Sequence, residues 1–301
     1  MIITIIGGSG FIGQNIAENL KKNHKIKIFD IKPSPIKNFD FFQGNINNLK
    51  SINKAIKNSD VVIHLAAALG VVNTEKNPIF TLDTNIFGTK NVLESCIKNN
   101  VKKIIFSSSS EVYGEPKKIP IAENHDVIPI TNYGISKLAG EEYVKAYSKE
   151  FGLKHTILRL FNVYGTTQGN SWVVPEFVER ALKNQNISIH GNGSQIRSFC
   201  HVKDVAQAFR QSLTKGTNDT INIGNNLEPV NIKNLAKKII LLSKSNSKVS
   251  FIPFEKSKRN RTEIMNRVPE ITKAKKILNY EPKISLEDGL SQIIKFKSVC
   301  Y

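Results

Sequence analysis

The chain has 301 residues, a length for one large domain or two modest ones, and it can build a sizeable core without disulfide or metal staples. With 40% hydrophobic and 23% charged residues it falls outside the disordered, collagen-like and coiled-coil classes. Its net charge of +18 points either to a phosphate-rich partner or to a lysine-biased surface. The cysteines (Cys96, Cys200, Cys300) are far apart and form no CxxC or metal spacing, which predicts a reducing compartment and no metal site. The first apolar run ends at Gly7 and Gly8, too short for a signal peptide or a membrane span, so a cytoplasmic protein with no membrane partner is expected.

Taken in chain order, Ile2–Ile6 is continuously apolar and β-branched and predicts a buried parallel strand. Gly-rich residues then lead into a helix over about 12–22. Strands are predicted at 25–29, 61–65, 103–106 and 156–160. Between them lie helices over about 82–99, with Leu82, Ile86, Leu93 and Ile97 at helical spacing, and over about 133–151. Repeated strand–helix alternation implies an α/β fold, a Rossmann-type doubly wound parallel sheet with right-handed crossovers. After Phe161 the loops lengthen and Gly and Asn cluster. This predicts a Rossmann domain over 1–161 and a smaller α/β substrate domain over 162–301, with part of 199–225 returning to the Rossmann sheet.

Gly7, Gly10 and Gly13 lie between the first strand and the first helix, and with Gly8 they satisfy both GxxGxxG and GxGxxG. Glycine there permits a tight turn, lets a pyrophosphate approach the backbone and lets the helix pack on the strand. The helix N-terminus, opened by Phe11 and Ile12, offers free N–H groups and the positive end of its dipole. Asp30 closes the second strand, where a carboxylate accepts both adenosine-ribose hydroxyls and repels a 2′-phosphate, so NAD is predicted over NADP.

A serine run (Ser107, Ser108, Ser109, Ser110) followed by Glu111 closes the fourth strand. Tyr133 and Lys137 are i and i+4 and share a helix face. A nearby ammonium favours the phenolate, so Lys137 is expected to lower the Tyr133 pKa and suit it to general acid/base work on a sugar hydroxyl. A serine hydroxyl from the preceding strand would share that proton or polarise a ketone.

These motifs, with His64-Leu65-Ala66-Ala67, Asn85-Ile86-Phe87-Gly88-Thr89, the stretch from Arg159 to Gly165 and the stretch from Gly191 to Phe199, cover nearly the whole chain. Together they resemble an extended short-chain dehydrogenase/reductase of the NAD-dependent nucleotide-sugar epimerase/dehydratase family, and within it the UDP-glucose 4-epimerases. The resemblance implies Tyr133 as the catalytic base, Lys137 as holder of the nicotinamide ribose and Ser109 as the catalytic hydroxyl. It places Asn45 and Ile46 at the adenine, where the family commonly has Asp in place of Asn45. Leu65, Ala66, Ala67, Asn85 and Ser107 would line the cofactor. Ser110, Asn162, Val174 and Ile189 would meet the substrate, with Arg197 and either Arg259 or Arg261 on its diphosphate. A homodimer pairing the helices over about 82–99 and 133–151 is also implied.

The reaction follows less directly. The 4,6-dehydratases of the family place an Asp-Glu pair after the catalytic hydroxyl, and here those positions are Ser110 and Glu111. UDP-glucuronate decarboxylases commonly carry Ser-Glu there, whereas the segment from Asn132 to Glu141 looks epimerase-like. The reading favoured is a UDP-glucose or UDP-N-acetylglucosamine 4-epimerase acting through a transient 4-keto sugar. UDP-glucuronate decarboxylase and 4,6-dehydratase are its alternatives, and a non-catalytic dinucleotide sensor or RNA-associated protein is the alternative of another class. Against nucleic acid, the lysines are dispersed and no recognition motif accompanies them.

Overall fold

The computed structural model describes residues 1–35, 38–253 and 263–299. The first half runs β1 (Ile2–Ile6), α1 (Phe11–Leu20), β2 (Lys25–Asp30), β3 (Asp40–Gln43), α2 (Leu49–Ile56), β4 (Val61–His64), α3 (Val71–Lys76), α4 (Pro78–Lys98), β5 (Lys103–Ser109), a 3-10 turn (Ser110–Tyr113), α5 (Asn132–Phe151) and β6 (Lys154–Leu160). The second runs β7 (Val163–Tyr164), α6 (Val173–Leu182), β8 (Ile187–His190), β9 (Ile196–Arg197), β10 (Cys200–His201), α7 (Val202–Ser212), β11 (Asp219–Ile223), β12 (Val230–Asn231), α8 (Ile232–Leu242), β13 (Val249–Ile252), β14 (Asn266–Arg267), α9 (Thr272–Leu278) and α10 (Leu286–Ser298).

Seven strands form one parallel sheet in the order β11-β6-β5-β4-β1-β2-β3. The order reverses between β1 and β4, and the crevice at the C-terminal strand ends of such a switch point is where open α/β sheets bind ligands. One face of the sheet buries Ile16, Ala17 and Leu20 of α1 with Val205, Phe209, Ala274 and Leu278 of α7 and α9. The other buries Ile52, Val92, Leu93 and Val144 of α2, α4 and α5. β11 lies beside β6, so the chain comes back to the sheet after β7–β10. A separate core joins α6, α8, α10 and β8, with Phe177, Ile189, Leu235 and Leu290 inside it. Parallel β9 and β14, with β12, make a small sheet in which Arg197 and Arg267 are register partners.

Several boundaries depart from the sequence reading. β3 carries no buried residue in its pattern and lies on the sheet edge, so it lacks the apolar run that marks a strand. α4 starts at Pro78 rather than near 82, because Ile79 and Phe80 are exposed and break the apolar spacing. β5 runs through Ser109 rather than stopping at Phe106: Ser107 and Ser108 are buried in the sheet although polar. No helix among the described residues is long and apolar enough to cross a membrane.

Candidate active site

The Gly-rich turn is built by contacts that exclude a side chain. Gly7 has φ +85° and its N–H donates to Phe29 O at 2.8 Å. A Cβ on Gly7 would stand 2.6 Å from Ala66 N, and one on Gly13 would stand 2.5 Å from Gly7 O. The α1 N-terminus therefore sits against the turn at backbone distance, with Gly10 as N-cap and no side chain over the free N–H groups. Asp30 accepts from Ser9 N at 3.0 Å and from Lys32 N at 3.1 Å, one bond per carboxylate oxygen, so each oxygen keeps a lone pair for a ribose hydroxyl. The Ser9 hydroxyl is buried without a partner at the same turn. Asn45 is exposed and its Oδ1 accepts from Asn47 N, while Ile46 is buried against Gly88. Asn85 is buried and fully engaged: it exchanges hydrogen bonds with both backbone groups of Ala68 and donates to Ser136 Oγ. It holds the Leu65–Ala66–Ala67 segment in place rather than presenting an amide of its own. Phe11 lies against Gly165, and Ile12 packs on the sheet core. These residues fit a dinucleotide. Gly13→Ala is expected to give protein purified without bound NAD and with a lowered Tm, since both nearest atoms are backbone and overpacking of this kind costs about 1–3 kcal/mol. Acid release and quantification of the cofactor checks it.

The C-terminal end of β5 and the start of α5 carry the reactive groups. Lys137 is buried. Its Nζ donates to Ser107 O at 2.8 Å, 5.0 Å from the Phe106 ring centroid and 5.7 Å from that of Tyr133. Burial pushes Lys137 down to about 8, against the pull of the Glu141 carboxylate. His64 at the end of β4 is neutral: burial takes it down to about 3, with the Lys137 charge adding. The Tyr133 pKa moves opposite to the expectation from its Lys137 pairing. Burial raises it above its ordinary value, the Glu111 carboxylate adds to the rise and Arg267 opposes it. The i,i+4 pair is real, but desolvation of the phenolate outweighs it. Among the described residues no protein group hydrogen-bonds the Tyr133 hydroxyl.

Ser109 caps the 3-10 turn, its Oγ accepting from Glu111 N at 3.2 Å, and Ser110 is buried within it. Glu111 is fixed on both sides. Its Oε2 accepts from Thr131 Oγ1 at 2.7 Å, the same hydroxyl that caps α5 ahead of Tyr133. Its Oε1 pairs with Arg267 Nη1 at 3.3 Å, with the two side chains only 14% and 17% exposed. Arg267 is the residue that sequence reasoning missed. Its Nε is buried without a partner, and no local signal marks it, because β14 has only two residues.

Beside this pair lies a cavity of about 110 Å³ lined by Asn162, Phe177, Ile189, Arg197, Phe199 and Glu263. Arg197 pairs with Glu263 and donates to the carbonyls of Ile196 and Met265 at 2.9 and 3.0 Å, while burial and the neighbouring Arg267 take it down to about 10. Asn162 has φ +34° and a buried Nδ2 without a partner. An unpaired amide beside a buried cation suits an anionic, hydrogen-bonding ligand. Val174 does not line this cavity: it is buried in the α6 core, and Val173 lines the cavity instead. Arg259 and Arg261 lie outside the described residues. No cluster of metal-ligating side chains occurs among the described residues.

The NAD dependent epimerase/dehydratase family model matches residues 3–224. The chain belongs to this family. A relative from Methanocaldococcus jannaschii, provisionally named a UDP-glucose 4-epimerase, is 35% identical over 98% of each chain. The UDP-N-acetyl-alpha-D-glucosaminuronate decarboxylase of Bacillus cytotoxicus is also 35% identical, over 97% of this chain and 96% of its own. A Thermotoga maritima UDP-glucose 4-epimerase, solved with UDP-glucose, superposes with a TM-score of 0.93 at 32% identity over 98% of each chain. The protein is thus an NAD-dependent enzyme of the epimerase/dehydratase family.

Proposed function

We propose that the enzyme oxidises a UDP-uronate at C4 and releases its C6 carboxyl as CO₂. The observation that carries this reading is the Glu111–Arg267 pair, within electrostatic reach both of Tyr133 and of Arg197 in the cavity lining. Glu111 meets the Arg267 charge through Nη1, but the buried Nε–H is left without an acceptor, and the carboxylate oxygens of a C6 carboxyl are stronger acceptors for it than a neutral hydroxymethyl. Bound NAD supplies a hydride acceptor that later returns the hydride. Tyr133 takes the C4 hydroxyl proton as C4 becomes a ketone, and the C6 carboxylate is then β to that ketone. The C5–C6 bond breaks, its electron pair passes into the C4–C5 enolate, and CO₂ leaves. A proton from solvent at C5 restores the ketone, and Tyr133 would give its proton back to the C4 oxygen as C4 is reduced, leaving a UDP-pentose with no net use of cofactor. No hydroxyl departs, so no acid is needed where Ser110 stands. Ser109 polarises the C4 oxygen, and Asn162 and Arg197 take the diphosphate.

A UDP-hexose 4-epimerase is the second reading, supported by the epimerase-like segment from Asn132 to Glu141 and by the Thermotoga relative. Incubation with UDP-glucuronate, UDP-N-acetylglucosaminuronate and UDP-glucose separates the two. CO₂ release from a uronate, without interconversion of UDP-glucose and UDP-galactose, is expected. Interconversion without CO₂ replaces the first reading with the second.

The homodimer is proposed on α4 and α5. Ile79, Phe80 and Phe87 of α4 are 74%, 57% and 56% exposed, and Ile135 of α5 is 44% exposed. Such apolar surface on two adjacent helices suits a second copy of the chain. Light scattering is expected to give twice the chain mass, and Phe87→Asp to reduce it to one.

A further inference from the structure

Tyr133, Lys137 and Glu141 stand at i, i+4 and i+8 on α5, along one face of one helix. The chemistry proposed for the site uses the first two. Glu141 is 0% exposed and has no task in it. Its carboxylate grips Arg159 of β6 with both oxygens, Nε–Oε1 at 2.9 Å and Nη2–Oε2 at 2.7 Å. Arg159 Nη1 donates to the Tyr113 hydroxyl at 2.9 Å, and that hydroxyl donates to Asn222 Oδ1 of β11 at 2.7 Å. Glu141 Oε1 also accepts from Ser108 Oγ at 2.5 Å.

Ser108 lies between two site residues. On one side Ser107 O accepts from Lys137 Nζ, and on the other Ser109 caps the turn that carries Glu111. A buried ion pair is a poor source of net stability, since packed apolar side chains in its place are often as stable. This one is instead placed to tie the end of β5 to the reactive face of α5. We infer that Glu141, clamped by Arg159, is a positioning residue that holds the Ser107–Ser109 strand end and the Lys137 ammonium in one register. The inference rests on Lys137 and Tyr133 serving the chemistry, and not on which sugar is used.

The charges around Lys137 give the proposal a signed consequence. Glu141 on α5 favours its ammonium, and burial opposes it. His64 on β4 is neutral, Phe106 on β5 is apolar, and Arg159 on β6 faces Glu141. Beyond Tyr133 stand Glu111 and Arg267. Glu141→Gln removes the favourable carboxylate and leaves the Arg159 charge uncompensated. Both changes drive the Lys137 proton off at lower pH.

The test is an NMR titration of holoenzyme carrying ¹³C at lysine Cε, with the Lys137 signal assigned by Lys137→Met. A midpoint of about 8 is expected in the parent enzyme, and one lower by about one pH unit in Glu141→Gln. The same variant is expected to lose about tenfold or more in kcat at unchanged KM. A folded Glu141→Gln enzyme whose Lys137 titrates as in the parent overturns the proposal. Ser108→Ala leaves the ion pair whole and keeps the test available if Glu141→Gln does not fold. Lowered kcat at unchanged KM supports the strand anchor, and parental kcat overturns it. The titration needs no turnover, so an enzyme inactive on uronates would reject the substrate reading while the titration still reports on Glu141.

Discussion

Tyr133→Phe is expected to lower kcat by about 10²–10⁴-fold, the usual range for loss of a positioned acid/base, with fold and bound NAD retained. The variant removes one oxygen that no protein group among the described residues hydrogen-bonds, so little stability depends on it. Because burial and Glu111 raise the Tyr133 pKa, the free enzyme holds a neutral phenol at neutral pH. A neutral phenol is the state that returns a proton to the C4 oxygen. To take the proton in the forward direction, the phenolate needs cations nearby, and Lys137 over its ring and Arg267 beyond it are those cations. Lys137 loses its charge above about 8, so kcat is expected to fall on the alkaline side of that value. Steady-state kcat across pH, with circular dichroism melts and cofactor content as controls, checks both statements. A folded, NAD-loaded Tyr133→Phe enzyme with parental kcat removes Tyr133 from the chemistry.

The parts of the site that could be read in the sequence are those whose physical demand is local. Gly13 is a glycine because a Cβ there would strike the Gly7 and Gly8 backbone across a turn of a few residues, and Gly7 because the turn gives it a φ of +85°. Tyr133 and Lys137 announce themselves because helix periodicity alone puts them on one face. The parts that could not be read depend on distant pairing. Arg267 reaches Glu111 only because β14 lies parallel to β9 at the register Arg197↔Arg267, and two-residue strands have no periodicity to find. The sign of the Tyr133 shift failed for the same reason. The helix pair was visible, but the burial of the phenol and the Glu111 carboxylate come from other elements. β3 was hidden because an exposed edge strand needs no apolar run.

Arg267→Met is expected to lower kcat/KM for a UDP-uronate by about 10²–10³-fold, the loss seen when one charge-stabilising donor is removed from a site. Met matches the length of the arginine stem and leaves no new polar group to bury. The fold should tolerate the change. Arg267 sits beside Arg197 across β9 and β14, and its charge adds to the burial that lowers Arg197. Glu111 keeps its bond from Thr131, so its carboxylate is not left bare. Arg267→Lys keeps the charge but loses the planar fork, and is expected to recover only part of the activity. The decisive comparison is between sugars. If Arg267 meets the C6 carboxylate, Arg267→Met loses uronate turnover while its affinity for UDP alone, which the proposed reading assigns to Arg197 and Asn162, changes little. If UDP affinity falls as far as uronate turnover, Arg267 is a second diphosphate ligand beside Arg197. If neither changes, the Glu111–Arg267 pair only fastens β14 to the 3-10 turn, and the uronate reading loses the observation that carries it.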